Sequence, residues 1–311
     1  MMPNTKGNEI HLIFFHGLGD YYKNATAFCE REFERMCLHD KPNFHIHAHK
    51  YPAAFQNYRT YVLASFVCLG TSILLPAVIL LTNRITARTA GLAVLAALAC
   101  VFLSILLLMI PFLNRNQNLS KSSIEQISQL TDKGVKPENI ILFGHSFGGA
   151  IASEVLRHFA DRDIKLGGIV FTSTFSSFHT AIKHFSIPQT KILSILPSFL
   201  LKGILKALNL EFDIVDNLRK SQNEKMPIVI INHMEDELIP LSAQLAIAML
   251  DDEKMPNYIE DELTVIAIRG SRYLIKIYGD LGGSHNDILG SAKLTRELKE
   301  VVLSKVTSRT R

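Results

Sequence analysis

The sequence predicts an α/β fold, a mainly parallel sheet with helices on both faces, and three observations lead there. Strand-like runs near 10–15, 43–49, 139–145, 167–173, 227–232 and 272–278 alternate with helix-like stretches near 24–38, 120–133, 148–161, 242–250 and 288–305. Such alternation is what crossover helices joining parallel strands produce. The pentapeptide Gly144-His145-Ser146-Phe147-Gly148 sits at one strand-to-helix junction, and an alcohol, a carboxylate and an imidazole then follow along the chain, each just past a strand candidate.

The first strand, Ile10 to Phe15, opens into His16-Gly17-Leu18-Gly19-Asp20, a glycine turn able to aim backbone N–H groups at a ligand. The second carries His45, His47 and His49 on one face, alternating with Phe44, Ile46 and Ala48. Same-face neighbours on one strand lie about 7 Å apart and converge poorly on one ion, so these imidazoles read as the polar face of an edge strand, with no metal expected.

Between the second and third strands the pattern breaks. Thr60 to Leu81 and Gly91 to Leu113 each run more than twenty residues without a charge. At about 1.5 Å per residue either could cross a hydrocarbon core of about 30 Å, so residues 59–113 are expected to form an inserted transmembrane helical hairpin. The flanking Lys50, Arg59, Arg115 and Lys121 against Arg84 and Arg88 in the loop, and the polar start from Met1 to Glu9, place the remaining domain, residues 1–58 and 114–311, on the cytoplasmic side of an integral membrane protein. A formal charge of +4, with Lys299, Lys305, Arg309 and Arg311 near the end, favours an anionic membrane surface as partner. No basic patch interleaved with aromatic residues appears, which argues against nucleic acid. The four cysteines give no disulfide framework: Cys68 and Cys100 lie in the apolar segments, and Cys29 and Cys37 are about 12 Å apart along one helix.

After the third strand, the glycines around Ser146 leave room for a tight turn that lifts its hydroxyl above the sheet, making Ser146 the nucleophile candidate, with Gly144 and Gly148 supporting the turn. A serine hydroxyl needs an imidazole to take its proton and a carboxylate to orient that imidazole. The run Pro227 to Asn232 leads into His233-Met234-Glu235-Asp236-Glu237, from which Asp236 is the expected acid, with Glu235 and Glu237 as its rivals. Tyr273 to Tyr278 leads into Gly279 to Asp287, and His285 in that loop is the expected base. Backbone N–H groups of Leu18 and Phe147 would hold the oxyanion, with His16 and Gly17 shaping the first of these turns.

In order and spacing these signals resemble those of α/β-hydrolases. The pieces Asp236-Glu237-Leu238-Ile239-Pro240 and His285-Asn286-Asp287 are similar to membrane-associated α/β-hydrolase-domain proteins, a group with lipid hydrolases and protein depalmitoylases; Met234 departs from the glycine common there. The resemblance implies an α/β-hydrolase fold and a serine hydrolase, of lipase, esterase or thioesterase type, acting on an ester or thioester of a lipid or an acylated protein without a cofactor. An acyltransferase or peptidase would use the same residues, and a non-catalytic membrane scaffold would keep only the fold. Residues 175–225 read as a helical cap, with Lys202 and Lys206 available to lipid headgroups. Thr264 to Arg269 is strand-like, either a hairpin partner of 272–278 or an excursion before it.

Overall fold

The computed structural model describes residues 9–17, 22–35, 44–51, 58–82, 87–113, 119–185, 191, 193–207, 210–221, 226–250, 261–268, 272–281 and 284–307. The chain divides into two compact units, Met1–Tyr51 with Leu119–Arg311, and Pro52–Asn118.

The first unit is built on a sheet. Its strands are β1 (Ile10–Phe15), β2 (Phe44–Ala48), β3 (Ile140–His145), β4 (Gly168–Thr172), β5 (Ile228–His233), β6 (Glu262–Ile268) and β7 (Arg272–Tyr278). They lie in the order β2-β1-β3-β4-β5-β7-β6, parallel throughout except for β6, which pairs antiparallel with β7 in the register Glu262↔Tyr278. The run from Thr264 is thus a hairpin partner. Strands β1, β3 and β5 are buried at every residue, as expected of Ile-, Leu- and Val-rich strands covered on both faces.

Helices α1 (Tyr22–Arg35), α4 (Lys121–Asp132), α5 (Phe147–Ala160) and α11 (Ala292–Thr307) belong to this unit. The core on one side joins Leu12 and Phe14 of β1 and Ile141 and Phe143 of β3 to Phe28 of α1 and Leu298 of α11. Residues Ala25, Phe28 and Cys29 recur at helical spacing and so present one apolar stripe. Helix α11 is preceded by a single turn, α10 (Asp287–Gly290), separated from it at Ser291.

In the region expected as a cap lie α6 (Phe178–His184), α7 (Ser198–Ala207) and α8 (Ile214–Lys220). Leu201 and Leu205 of α7 are buried while Phe199 is 80% exposed. Lys202 is held by Asp213 at 3.0 Å, and Asp213 also caps α8 by accepting the Asp216 N–H. Lys202 is therefore committed to a protein carboxylate. A short 3-10 turn, Leu241–Ala243, leads into α9 (Leu245–Met249).

The second unit contains two helices, α2 (Tyr58–Thr82) and α3 (Ala87–Leu113), which pack on each other. Ser65 and Ser104 face one another across that contact, their hydroxyl oxygens 2.7 Å apart. Among the described residues no helix is long and apolar enough to cross a membrane. This corrects the expected transmembrane hairpin over 59–113, and with it the integral-membrane placement and the cytoplasmic orientation. The two helices instead spend part of their apolar surface on each other, with Ser65 and Ser104 buried at the contact, and length with absence of charge does not distinguish such a pair from a bilayer span. The loop arginine Arg84, with Arg115, lies outside the described residues. Cys29, Cys68 and Cys100 are free thiols, and Cys37 lies outside the described residues.

Candidate active site

Parallel strands share a direction, so the loops leaving the C-terminal ends of β1, β3, β5 and β7 open on one edge of the sheet. This is the edge where open α/β sheets assemble their sites.

At the end of β3, Ser146 adopts φ 54° and ψ −125° between the strand and the first residue of α5. Positive φ is costly for a residue with a Cβ, so the turn must be fixed from outside. The Ser146 N–H donates to the Thr172 carbonyl at 2.9 Å, and the Gly149 N–H to the Ser146 carbonyl at 3.0 Å. The flanking glycines are demanded by close approach. A Cβ on Gly144 would lie 2.5 Å from the Gly149 Cα, and one on Gly148 only 2.0 Å from the Phe15 carbonyl oxygen. Phe147 begins α5, so its N–H belongs to the positive end of the helix dipole. Its ring packs on Phe178 and Phe212, with centroids 5.9 and 5.1 Å away.

The turn after β1 comes to the same place. A Cβ on Gly17 would stand 3.3 Å from the Ser146 Cβ, so glycine lets this backbone lie against the serine. The buried His16 ring donates from Nδ1 to the Gly17 carbonyl at 3.1 Å, and the Tyr51 hydroxyl donates to the His16 carbonyl at 3.0 Å. Leu18 lies outside the described residues.

Asp236 follows β5 and is 5% exposed, whereas Glu235 and Glu237 beside it are exposed. Its Oδ1 accepts the Leu238 and Ile239 N–H groups at 3.0 and 2.9 Å, an Asx-type turn that orients the carboxylate. Gln244 ties the loop down through its Nε2, which donates to the His233 and Ile239 carbonyls. The Met234 N–H donates to the Tyr278 carbonyl at 3.0 Å, so a backbone bond independent of side-chain type fixes this position.

His285 Nδ1 lies 2.9 and 2.8 Å from the two Asp236 oxygens. A carboxylate only accepts, so Nδ1 carries the proton and Nε2 is left with a lone pair. That Nε2 is buried and has no hydrogen-bond partner among the described residues. The bond from imidazole to carboxylate is thus made, and Nε2 is left as an acceptor. Burial pushes the Asp236 carboxyl upward, but the His285 N–H and ring, with the Ile239 N–H, outweigh it and hold the group below the usual carboxylate range.

Sequence reasoning missed two further imidazoles. His145, inside the Gly-x-Ser-x-Gly motif, accepts from the Thr172 hydroxyl at Nδ1 and donates from Nε2 to Asn286 Oδ1 at 3.0 Å. It links the serine turn to the residue after His285, and the two rings are 5.1 Å apart. Burial, then the neighbouring His285, lowers its pKa to about 3. His233, on the last residue of β5, places Nε2 3.6 Å from Asp236 Oδ2, and burial lowers its pKa despite the carboxylate. The signal for His145 was its place between Gly144 and Ser146; for His233 there was none, because its role depends on the fold of the following turn.

A parallel sheet whose central strand ends in a positive-φ serine between glycines, with a bonded acid and histidine at the ends of later strands, has the α/β-hydrolase fold. No family model matches the chain. It is 31% identical over 122 residues to a multifunctional-autoprocessing repeats-in-toxin protein of Vibrio vulnificus, an alignment covering 38% of this chain and 2% of that one. The chain therefore spans about 2% of the length of this curated relative. Its structural neighbours include the type II thioesterase BorB from the borrelidin biosynthetic cluster, at 12% identity and TM-score 0.42, covering 94% of this chain and 91% of that chain. They also include one of the metagenome-derived lipolytic enzymes LipS and LipT, at 11% identity and TM-score 0.47, covering 95% of this chain and 94% of that chain.

Proposed function

We propose that the protein is a serine hydrolase that cleaves carboxylic ester or thioester bonds through an acyl-enzyme. Ser146 attacks the acyl carbonyl, His285 Nε2 takes the hydroxyl proton and returns it to the leaving group, and Asp236 holds the imidazole in the Nδ1–H tautomer. The Phe147 and Leu18 N–H groups receive the charge on the carbonyl oxygen. Water, activated by the same imidazole, then releases the acid. The substrate class is an acyl ester or thioester, of a lipid or an acylated protein.

The observation that carries this reading is Ser146 itself, a non-glycine residue at φ 54° held between glycines whose Cβ atoms would collide with backbone. Strain of that kind persists only where the surroundings impose it, and it projects a hydroxyl from the edge where Asp236 and His285 are bonded. The preference for substrates presented by a bilayer rested on the expected membrane hairpin and has lost that footing.

The test is labelling of the full chain by a fluorophosphonate probe. We expect one label per chain, abolished in Ser146→Ala and reduced at least about 10³-fold in rate in His285→Ala. A wild-type protein that takes no label, or a Ser146→Ala variant that labels equally, would leave a non-catalytic scaffold as the better reading. Turnover of p-nitrophenyl esters, glycerolipids and acyl-cysteine thioesters then orders the substrate classes.

A further inference from the structure

His45 and His47 lie on β2 and His49 just after it, and along one strand they do not converge on one ion. The fold supplies what one strand could not, because β1 runs parallel beside β2 in the register His11↔His45. His11 stacks on His45, with ring centroids 4.8 Å apart, at the β2 edge of the sheet. Glu9, just before β1, brings its Oε2 to 3.4 Å from His11 Nε2. One ligand atom each from Glu9, His11 and His45 fall within 4.8 Å of one another.

The buried His11 makes this more than a polar cluster. The residue is 4% exposed, its Nδ1 is 2.9 Å from His47 Nε2, and its buried Nε2 faces the Glu9 carboxylate. When Nδ1–H donates to His47, Nε2 presents a lone pair toward a carboxylate oxygen. In that tautomer the Nε2 lone pair and the carboxylate oxygen point at one place, which a cation can occupy instead of the proton that bridges them when His47 is the donor. His47 then acts as the outer partner that fixes the tautomer of a ligating imidazole. His49 takes no part, since it accepts from Ser123 and donates to the Leu119 carbonyl.

We propose that Glu9, His11 and His45 bind a first-row divalent transition metal, with zinc the best match to two imidazoles and a carboxylate, and that His47 positions His11. Bonds of about 2.0–2.2 Å in a tetrahedral site put ligand atoms about 3.4 Å apart, so the cluster must contract by about 1.4 Å at its widest. Glu9 and His45 are each only partly buried and able to make that movement. A fourth position would be left to water. The ion would pin the chain entering β1 to the edge strand β2, a structural staple apart from the edge that carries Ser146.

The experiment is zinc titration of the tag-free full chain, stripped with chelator, against a chromophoric competitor. We expect one equivalent bound at micromolar zinc or tighter, with affinity at least tenfold weaker in Glu9→Gln and in His45→Ala and unchanged in Ser146→Ala. His47→Gln should weaken binding less than loss of a ligand, since the amide oxygen can still accept from His11. Circular dichroism identifies any variant that fails to fold, and the two ligand variants, both at partly exposed positions, back each other up. Absence of saturable binding, or binding that both ligand variants retain in full, overturns the proposal. Neither outcome bears on the serine hydrolase reading, which fluorophosphonate labelling tests separately.

Discussion

The sheet unit and the helical pair are both rich in Leu, Ile, Val and Phe, yet they spend those residues in opposite ways. In the sheet, Ile13, Phe15, Ile141 and Phe143 are fully buried; in the helical pair, Leu63 and Phe102 are 67% and 69% exposed. The difference begins with the backbone. A strand satisfies its N–H and C=O groups only through neighbouring strands, so pairing brings further layers onto both faces. A helix satisfies its own, and two helices in contact need bury only one stripe each, here at Ala93, Ser65 and Ser104. Charge divides the same way. Residues 52–118 hold four arginines and no Asp, Glu or His, which accounts for the whole formal charge of +4 and leaves every titratable acid and imidazole to the sheet unit. Hydropathy thus reports how much apolar surface a segment owns, not what covers it.

The sharpest test of this contrast is chemical. Asp236→Asn keeps the shape of the acid loop but can no longer impose the Nδ1–H tautomer on His285, and turnover should fall by about 10⁴-fold, roughly 5.5 kcal/mol in the barrier. Phe102→Ser, in the helical pair, should leave turnover within about twofold, because substitution of a side chain 69% exposed usually costs little. Steady-state kinetics on the best ester of the panel measures both, and a large loss in Phe102→Ser would break the division of labour.

Glycine substitutions probe the packing with opposite signs. Gly148→Ala would drive a methyl to 2.0 Å from the Phe15 carbonyl oxygen, a backbone collision that no side-chain rotation relieves. It should cost about 3 kcal/mol or more, or prevent folding. Gly91→Ala and Gly70→Ala meet nothing within 4 Å, and in a helix alanine should gain about 0.5–1 kcal/mol over glycine. Urea denaturation followed by far-UV circular dichroism compares the three.

Acid should also separate the units. Burial lowers His145 and His49 each to about 3, well under the 6.5 of a free imidazole. Between those values the unfolded chain binds more protons than the folded one, so stability falls as pH drops from about 6.5 toward about 3, with a slope of up to about 1.4 kcal/mol per pH unit for each ring. Asp236 adds to this at the acid end: its lowered folded value stabilises above the unfolded carboxylate value of about 3.9, and that contribution disappears as pH falls through the folded value. Replacing His145 by Gln should flatten the slope whatever the absolute stability. The helical pair, with no group titrating in this range, should keep its helical signal from pH 7 to pH 4.

These contrasts explain what could be read in the sequence. Six strands and the turn at Ser146 were legible because each is local: β-branched runs, and glycines at fixed offsets from one serine. The choice of Asp236 over Glu235 and Glu237 is visible as burial only once the Asx turn and Gln244 are in place. The meeting of His11 with His45 depends on β1 lying beside β2, a pairing that no spacing within β2 encodes. The apolar runs after Thr60 were read by length and lack of charge, which cannot tell a bilayer from a partner helix.

The smallest expected effect is the most direct test of independence. The sheet unit closes on itself where the helical pair enters and leaves: the buried His49 ring donates to the Leu119 carbonyl at 2.8 Å and lies 2.5 Å from the Ser123 hydroxyl, and Ser122 donates to the Lys50 carbonyl at 3.0 Å. Chain ends held together in this way need only a short bridge, and insertions at such places are removable at small thermodynamic cost. Joining Tyr51 to Leu119 through a few Gly and Ser residues should therefore leave fluorophosphonate labelling of Ser146 within about twofold of the full chain. If the shortened protein misfolds, or folds but no longer labels, the helical pair is part of what shapes the Ser146 edge, and the two units share one function where they now divide it.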